Sequence, residues 1–275
     1  MYTFNCKGRL LSWDHPILMG VINVTPDSFY SGSRTQTREA ILGTAEKMLA
    51  DGATLLDVGG MSTRPAAEEI PVEDELNRVV PAIRAISEYF PEAFISVDSF
   101  RPAVVKNAIG AGACMINDIS GGKEPEMLDL AVEHGVPYIC MHMRGTPQTM
   151  QKLNHYEDLV RDVLDYFIER KSACIRHGIK DLIIDPGFGF AKNHVQNFQL
   201  LKQLSVFHML NLPVLAGLSR KSSIYKTLGT SPEEALNGTT VLNTLALQNG
   251  ASILRVHDVK EASETIRLWM SYAGA

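Results

Sequence analysis

The sequence predicts an α/β fold, a single (β/α)8 barrel (TIM barrel) domain over residues 1–275, with long mobile loops after the first and second strands. Three observations carry this expectation. Eight short apolar runs alternate with longer amphipathic runs from end to end. The apolar runs are continuous rather than alternating, as parallel strands buried on both faces require. The GxGxxG loop that opens many doubly wound sheets is missing after the first run, and no linker interrupts the pattern.

The strands are expected at 17–23, 54–58, 94–98, 114–119, 137–142, 181–185, 213–217 and 252–257. Helical periodicity fills most of the gaps, at 37–50, 73–89, 101–110, 125–133, 157–176, 194–210, 232–248 and 259–273. Gly52, Gly112, Gly135, Gly178 and Gly250 fit helix C-caps shortly before strands. Ser231-Pro232-Glu233-Glu234 has the form of a helix start, with an N-cap serine, proline at the first helical position and glutamate at the third.

Composition excludes several classes. With 45% hydrophobic and 21% charged residues the chain is neither disordered nor coiled-coil. The net charge is −5 and no block of like charges occurs, so neither nucleic acid nor a membrane surface is an expected partner. No apolar run approaches the ~18 residues of a membrane span. The first residues lack the charged-then-apolar layout of a signal peptide. Cys6, Cys114, Cys140 and Cys174 form no CxxC pair and match no zinc spacing. A cytoplasmic location is the expectation.

In barrels of this kind chemistry sits at the C-terminal ends of the strands. Here those ends carry Asn23, Asp57, Asp98, Asn117-Asp118, Asp185, Arg255 and His257, and the seventh strand runs into Ser219-Arg220-Lys221-Ser222. One polar residue at such a place usually caps a barrel layer, but a ring of them on six strands is hard to explain as scaffolding. Asp98, Asn117 and Asp185 offer acceptors suited to a flat heterocycle with adjacent N–H groups. No His or Glu joins Asp98 and Asp185 at ligand spacing, which argues against a metal caged by the protein. Arg64, Arg220, Lys221 and Arg255 lie just beyond strand ends of an acidic chain and suggest a phosphate or carboxylate ligand. The helix expected after Lys221 would add N–H groups for an anion. The segments 24–36 and 59–71 are long and rich in small residues, as lids often are.

At this point the chain resembles the dihydropteroate synthase family, from about residue 15 to 270. The resemblance rests on Asn23-Val-Thr-Pro-Asp-Ser-Phe29, Gly60-Met-Ser-Thr-Arg-Pro65, Ser96-Val-Asp98, Asp185-Pro-Gly-Phe-Gly-Phe190, and Ser219-Arg-Lys-Ser222 with Arg255-Val-His257. It implies condensation of 6-hydroxymethyl-7,8-dihydropterin pyrophosphate with 4-aminobenzoate by an SN1-like path. It implies that Asp98, Lys221 and Arg255 are catalytic. Asp98, Asn117, Ile119, Met141, Asp185, Gly217, Lys221 and Arg255 would bind the pterin. Asn23, Arg64, Arg255 and His257 would hold the pyrophosphate, Asn23 also ligating a Mg2+ cofactor. Thr63, Pro65, Phe190, Lys221 and Ser222 would bind 4-aminobenzoate, the site where sulfonamides compete in this family. A homodimer is the family expectation.

The chain departs from the family pattern at Met61 and Ala66, which flank Ser-Thr-Arg-Pro where the family usually has Glu and Gly, and at Ser99-Phe100-Arg101 in place of Thr-Tyr-Lys. Asp57, Asp118 and His142 are expected to hydrogen-bond behind the site residues or in the core rather than to take part in catalysis. Two alternative readings share the Asp–Asn–Asp ring: a corrinoid-type methyltransferase barrel and a non-catalytic pterin-binding barrel. The first has no use for the two long loops or for a phosphate site at Arg255 and His257, and the second predicts loss of Asn23, Arg64 or Lys221, all three of which are present.

Overall fold

The computed structural model describes residues 1–24, 34–63 and 69–275 of the chain. Two antiparallel strands come first, β1 (Tyr2–Cys6) and β2 (Arg9–Trp13). Eight parallel strands follow: β3 (Ile17–Asn23), β4 (Leu55–Gly59), β5 (Phe94–Asp98), β6 (Met115–Asp118), β7 (Tyr138–Met141), β8 (Leu182–Asp185), β9 (Leu215–Ala216) and β10 (Ile253–Val256). They pair in the order β8-β7-β6-β5-β4-β3-β10-β9, and a bridge between Ile184 and Val214 brings the two ends together. The result is the expected barrel, nearly closed. The helices between are α1 (Arg34–Ala50), α2 (Val72–Tyr89), α3 (Pro102–Ala111), α4 (Pro125–His134), α5 (Leu159–His177), α6 (His194–Lys202), α7 (Ser222–Leu228), α8 (Leu236–Gln248) and α9 (Val259–Ala273).

The period-two alternation of strands sorts the barrel interior into layers. Met19, Leu55, Met115, Ile139, Ile183, Leu215 and Ile253 form one buried cluster inside the lower barrel. Phe4, Cys6, Leu11 and Trp13 of the β1–β2 hairpin join that cluster and plug its N-terminal end. The opposite strand faces, including Leu18, Leu56, Val58, Ile95, Val97, Ile116, Ile184 and Leu254, pack with the helices in a second, larger cluster. Two residues beyond the inner layer, on the same face, stand Asp57, Asn117, Met141, Asp185, Gly217 and Arg255. The rule that buries the lower layer therefore delivers this second set to the mouth.

Three expectations need correction. The hairpin over residues 2–13 was not anticipated. The segment 194–210 is α6 followed by a 3₁₀ helix over Leu204–Leu210, not one helix. The segment after β9 holds two helices, α7 directly after Lys221 and α8, of which the helical periodicity marks only the second. Ser231 is not an N-cap: α8 begins at Leu236, and residues 231–235 form a turn in which Glu234 and Ala235 donate to Ser231 and Pro232 carbonyls. The reason is Arg220, whose Nη1 takes the carbonyls of Pro232 (2.8 Å) and Glu233 (2.7 Å) that a helix would use itself. The expected loops over 24–36 and 59–71 fall mainly on residues 25–33 and 64–68, outside the described residues. The roots of the second one are held: Arg78 Nη1 donates to Gly60 O at 3.0 Å, and the Arg101 guanidinium spans Glu69 (2.9 Å) and buried Glu75 (3.1 Å).

Candidate active site at the mouth of the barrel

A cavity at the C-terminal mouth is lined by Thr63, Asp98, Asn117, Ile119, Met141, Asp185, Phe190, Gly217, Lys221 and Arg255. Seven strand ends or the segments just after them supply these ten side chains, and the sequence reading had singled out every one. A larger cavity at the opposite end, between the hairpin and Trp269, carries none of them.

The polar wall is built on a buried carboxylate. Asp57 Oδ2, with no exposure, accepts from Arg255 Nε at 2.6 Å and from Asn117 Nδ2 at 2.9 Å. Arg255 Nη2 then reaches Asp98 Oδ2 at 2.5 Å. Asp57 thus orients both Asn117 and Arg255 from behind the site, within the supporting hydrogen bonding expected of it. Burial pushes the Asp98 carboxyl up to about 7, with Asp57, Glu75 and Asp185 adding to the effect and Arg255 opposing it. Asp57, Asp98 and Asp185 hold the Arg255 guanidinium charged against its own desolvation.

The second half of the wall is the turn after β8. Asp185 Oδ1 accepts from Gly187 N at 2.8 Å, and burial raises its pKa while Lys221 opposes. Gly187 has φ +70°, and a Cβ there would lie 2.1 Å from the His142 carbonyl, so the turn admits only glycine. Lys221 Nζ donates to Phe188 O and sits 5.1 Å from the Phe190 ring. Burial pushes Lys221 down to about 8, against the pull of Asp185 and Asp98. The apolar side is one cluster in which Ile119 and Met141 pack with Met143, Met150 and Ala191, flanked by Phe100 and Phe190.

The remaining expected residues are placed as follows. Asn23 ends β3, half-buried, paired with Gly59 across the ladder. His257 is exposed at the rim, and its Nδ1 lies 3.0 Å from Ser219 Oγ. Ser222 is the first residue of α7. Arg64, Pro65 and Ala66 lie outside the described residues. Among the described residues no group of three or more His, Cys, Asp or Glu could hold a metal. Asp118 anchors the turn after β6 through Ser120 N (2.7 Å), Gly122 N (2.9 Å) and Tyr138 Oη (2.6 Å). His142 bonds to Lys192, a fully enclosed lysine the sequence reading did not single out.

Arg220 does not join the anion-binding set. Its backbone is left-handed at φ +53°, which turns the side chain away from that of its neighbour. The guanidinium holds Asp258 with Nε and Nη2, both at 2.8 Å, besides the two turn carbonyls. Arg220→Met is therefore expected to cost about 2–3 kcal/mol of stability while leaving both substrate KM values unchanged. Urea unfolding beside steady-state kinetics checks this; a selective rise in KM would return Arg220 to the substrate site.

Residues 19–257 match the pterin binding enzyme family. A dihydropteroate synthase of Escherichia coli strain K12 is 46% identical over 264 residues, 95% of this chain and 93% of that one. A Yersinia pestis dihydropteroate synthase solved as a sulfonamide drug complex superposes with a TM-score of 0.92 at 40% identity, covering both chains completely. A Xanthomonas albilineans dihydropteroate synthase in complex with 7,8-dihydropteroate gives 0.90 at 40% identity, again over both whole chains. With the strand-end residues and motifs already in place, these likenesses identify the chain as a member of the pterin-binding enzyme family, among its dihydropteroate synthases.

Proposed function

We propose that the chain condenses 6-hydroxymethyl-7,8-dihydropterin pyrophosphate with 4-aminobenzoate, giving 7,8-dihydropteroate and pyrophosphate. The observation that carries this reading is the composition of the mouth cavity. Three acceptor side chains (Asp98, Asn117, Asp185), two cations (Lys221, Arg255) and an apolar wall (Ile119, Met141) line one slot. That set matches a flat ring with a polar N–H edge and an anionic substituent. In this reading Asp98, Asn117 and Asp185 take the pterin N–H edge, and Lys221 takes its carbonyl and ring nitrogen. Gly217 leaves room beside Lys221 Nζ and Arg255, both within about 4 Å of where its Cβ would stand. Arg255 stacks on the ring, exchanging its bond to Asp98 for the ligand while Asp57 keeps its hold.

Asn23, Arg64, Arg255 and His257 would hold the pyrophosphate. Asn23 offers one neutral oxygen, and among the described residues no group of three or more His, Cys, Asp or Glu could hold a metal, which fits Mg2+ arriving with substrate phosphates and water rather than a caged ion. When bound, Mg2+ neutralises charge on the departing pyrophosphate. Loss of pyrophosphate leaves a cationic pterin methylene, and Asp98 stabilises the positive charge spread into the ring. The aniline of 4-aminobenzoate is a weak nucleophile, so an SN1-like path suits it. The anilinium formed is acidic enough to lose its proton to water, so no general base is needed. Thr63, Pro65, Phe190, Lys221 and Ser222 would hold 4-aminobenzoate and exclude the water that would trap the cation as an alcohol.

Incubation of the purified chain with both substrates and Mg2+ is the test. Equal amounts of dihydropteroate and pyrophosphate are expected, and neither product when one substrate is omitted. Pyrophosphate release without dihydropteroate would sink the reading.

Binding order is expected to be obligatory. Arg64 lies between Thr63 and Pro65, so a pyrophosphate caught by Arg64 fixes both neighbours for the second substrate. Calorimetric titration should show 4-aminobenzoate binding to enzyme holding Mg2+, pyrophosphate and a pterin, and not to enzyme alone. Comparable affinity in both would mean a preformed site.

The proposal extends to sulfonamides as competitors of 4-aminobenzoate, to a cytoplasmic location and to a homodimer. Val241 and Leu245 on α8 and Leu268 and Tyr272 on α9 are exposed apolar side chains on two packed helices, a face suited to a second copy.

A further inference from the structure

We infer that Lys192 is a positioning residue for both substrates, gripping the turn after β8 from beneath; the inference rests on the reaction proposed above. Lys192 is buried, and its Nζ lies 2.9 Å from His142 Nδ1 while donating to Gly187 O and Phe190 O, both at 3.0 Å. An ammonium carries three N–H groups, and three acceptors surround it; a neutral amine would offer only two. His142 can accept at Nδ1 only as the neutral imidazole, and burial keeps it in that form. The set satisfies all three donors of a protonated lysine, although burial lowers the Lys192 pKa to about 7, with Asp185 opposing.

The two carbonyls it takes belong to the residues that set the two ends of the site. Gly187 donates its own N–H to Asp185 Oδ1, which lines the pterin end. Phe190 presents its ring to the cavity and donates its N–H back to Gly187 O at 3.1 Å. One ammonium therefore ties the orientation of Asp185 to that of Phe190. The same turn is also held by Asn197 Oδ1 on Gly189 N (2.6 Å) and by Tyr156 Oη on Ala191 O (3.0 Å), so its main-chain path has support without Lys192. Lys192 adds a side-chain tie to the Phe190 N–H···O Gly187 bond that already joins the two ends, and its amine is set among Asp185, Lys221 and Arg144.

The test is Lys192→Met beside Lys192→Arg in the full chain, with steady-state kinetics for both substrates and calorimetry for a pterin. Lys192→Met is expected to raise KM for both substrates, and to weaken pterin binding, by about tenfold. Lys192→Arg should return all three to within about threefold of the unmodified enzyme, because it keeps the charge and carries N–H donors enough for the three acceptors. A merely structural lysine would lower the folded fraction, so kcat would fall with both KM values unchanged; that result overturns the inference. So does an arginine variant no better than methionine. If Lys192→Met does not fold, His142→Leu removes one acceptor and leaves the two carbonyl bonds; a rise of a few-fold in both KM values supports the role, and unchanged values overturn it. Failure of the unmodified chain to make dihydropteroate would count against the reaction, whereas the pterin calorimetry tests Lys192 regardless.

Discussion

Asp98→Asn should lower turnover by about 100- to 1,000-fold while weakening pterin binding by less than about tenfold. The amide keeps the shape of the carboxylate and one acceptor, which can still receive Arg255 Nη2, now 2.5 Å from the carboxylate. What it loses is charge. The bound pterin is neutral and gains little from that charge. The cation formed when pyrophosphate leaves gains much more: at ~4–5 Å and an effective dielectric constant near 20, about 4 kcal/mol. An effect present only in the transition state falls on kcat. The sign of the pH dependence follows from the raised pKa. Burial holds Asp98 at about 7, so below that value the group is a neutral acid and cannot stabilise the cation. Turnover should therefore rise with pH through about 7, and the asparagine variant should lose that limb. Kinetics across this range, paired with calorimetric pterin affinities, decide the matter. Equal losses in binding and in turnover would reduce Asp98 to a ground-state anchor.

Much of this site was legible because a strand has period two. Once Met115, Ile183 and Ile253 are read as inward-facing, Asn117, Asp185 and Arg255 follow on the same face, and the structure lines one cavity with all three. Asp57 stands at the same register, two beyond Leu55, so the signal for its role was available. What the sequence could not supply were its partners, 60 and 198 residues away. The adjacent cations Arg220 and Lys221 read alike as a motif but serve different places, and the positive φ that separates them leaves no mark in residue type. Lys192 was invisible for a related reason: a lysine after Phe-Gly-Phe-Ala looks solvated, and only the fold brings three acceptors around it. The hairpin is a different case. Phe4 and Cys6 are buried and alternate with exposed Thr3 and Asn5, and Lys7 and Gly8 both take positive φ in the turn. That is the pattern of a half-buried strand and a tight turn, a signal of a different kind from the continuous apolar runs that mark the barrel strands.

Lys221→Ala is expected to weaken pterin binding by about 100-fold and 4-aminobenzoate binding by about tenfold or more. Lys221 is the cation common to both halves of the site. Its Nζ sits over Phe190, donates to Phe188 O, and lies 3.7 Å from where a Cβ on Gly217 would stand. Alanine removes three effects together. In the proposed reading the pterin carbonyl loses a charged donor and the 4-aminobenzoate carboxylate loses a cation, and Asp185 loses the charge that opposes its desolvation. With Lys221 gone, Asp185 is driven further toward the neutral acid, which serves less well as an acceptor for ring N–H groups. The pH dependence separates these contributions. Burial lowers Lys221 to about 8, and the ammonium is the form that binds, so affinity in the unmodified enzyme should fall as pH rises through about 8. Above that value, binding should be accompanied by proton uptake. The alanine variant should bind weakly at pH 7 and pH 9 alike, with no proton uptake on the alkaline side. Calorimetric titration with a pterin, and with 4-aminobenzoate in the presence of Mg2+, pyrophosphate and a pterin, at both pH values and in two buffers of different ionisation enthalpy, measures affinity and proton exchange together. An unchanged affinity for both ligands would remove Lys221 from the site, and an alkaline fall that persists in the variant would assign the titrating group elsewhere.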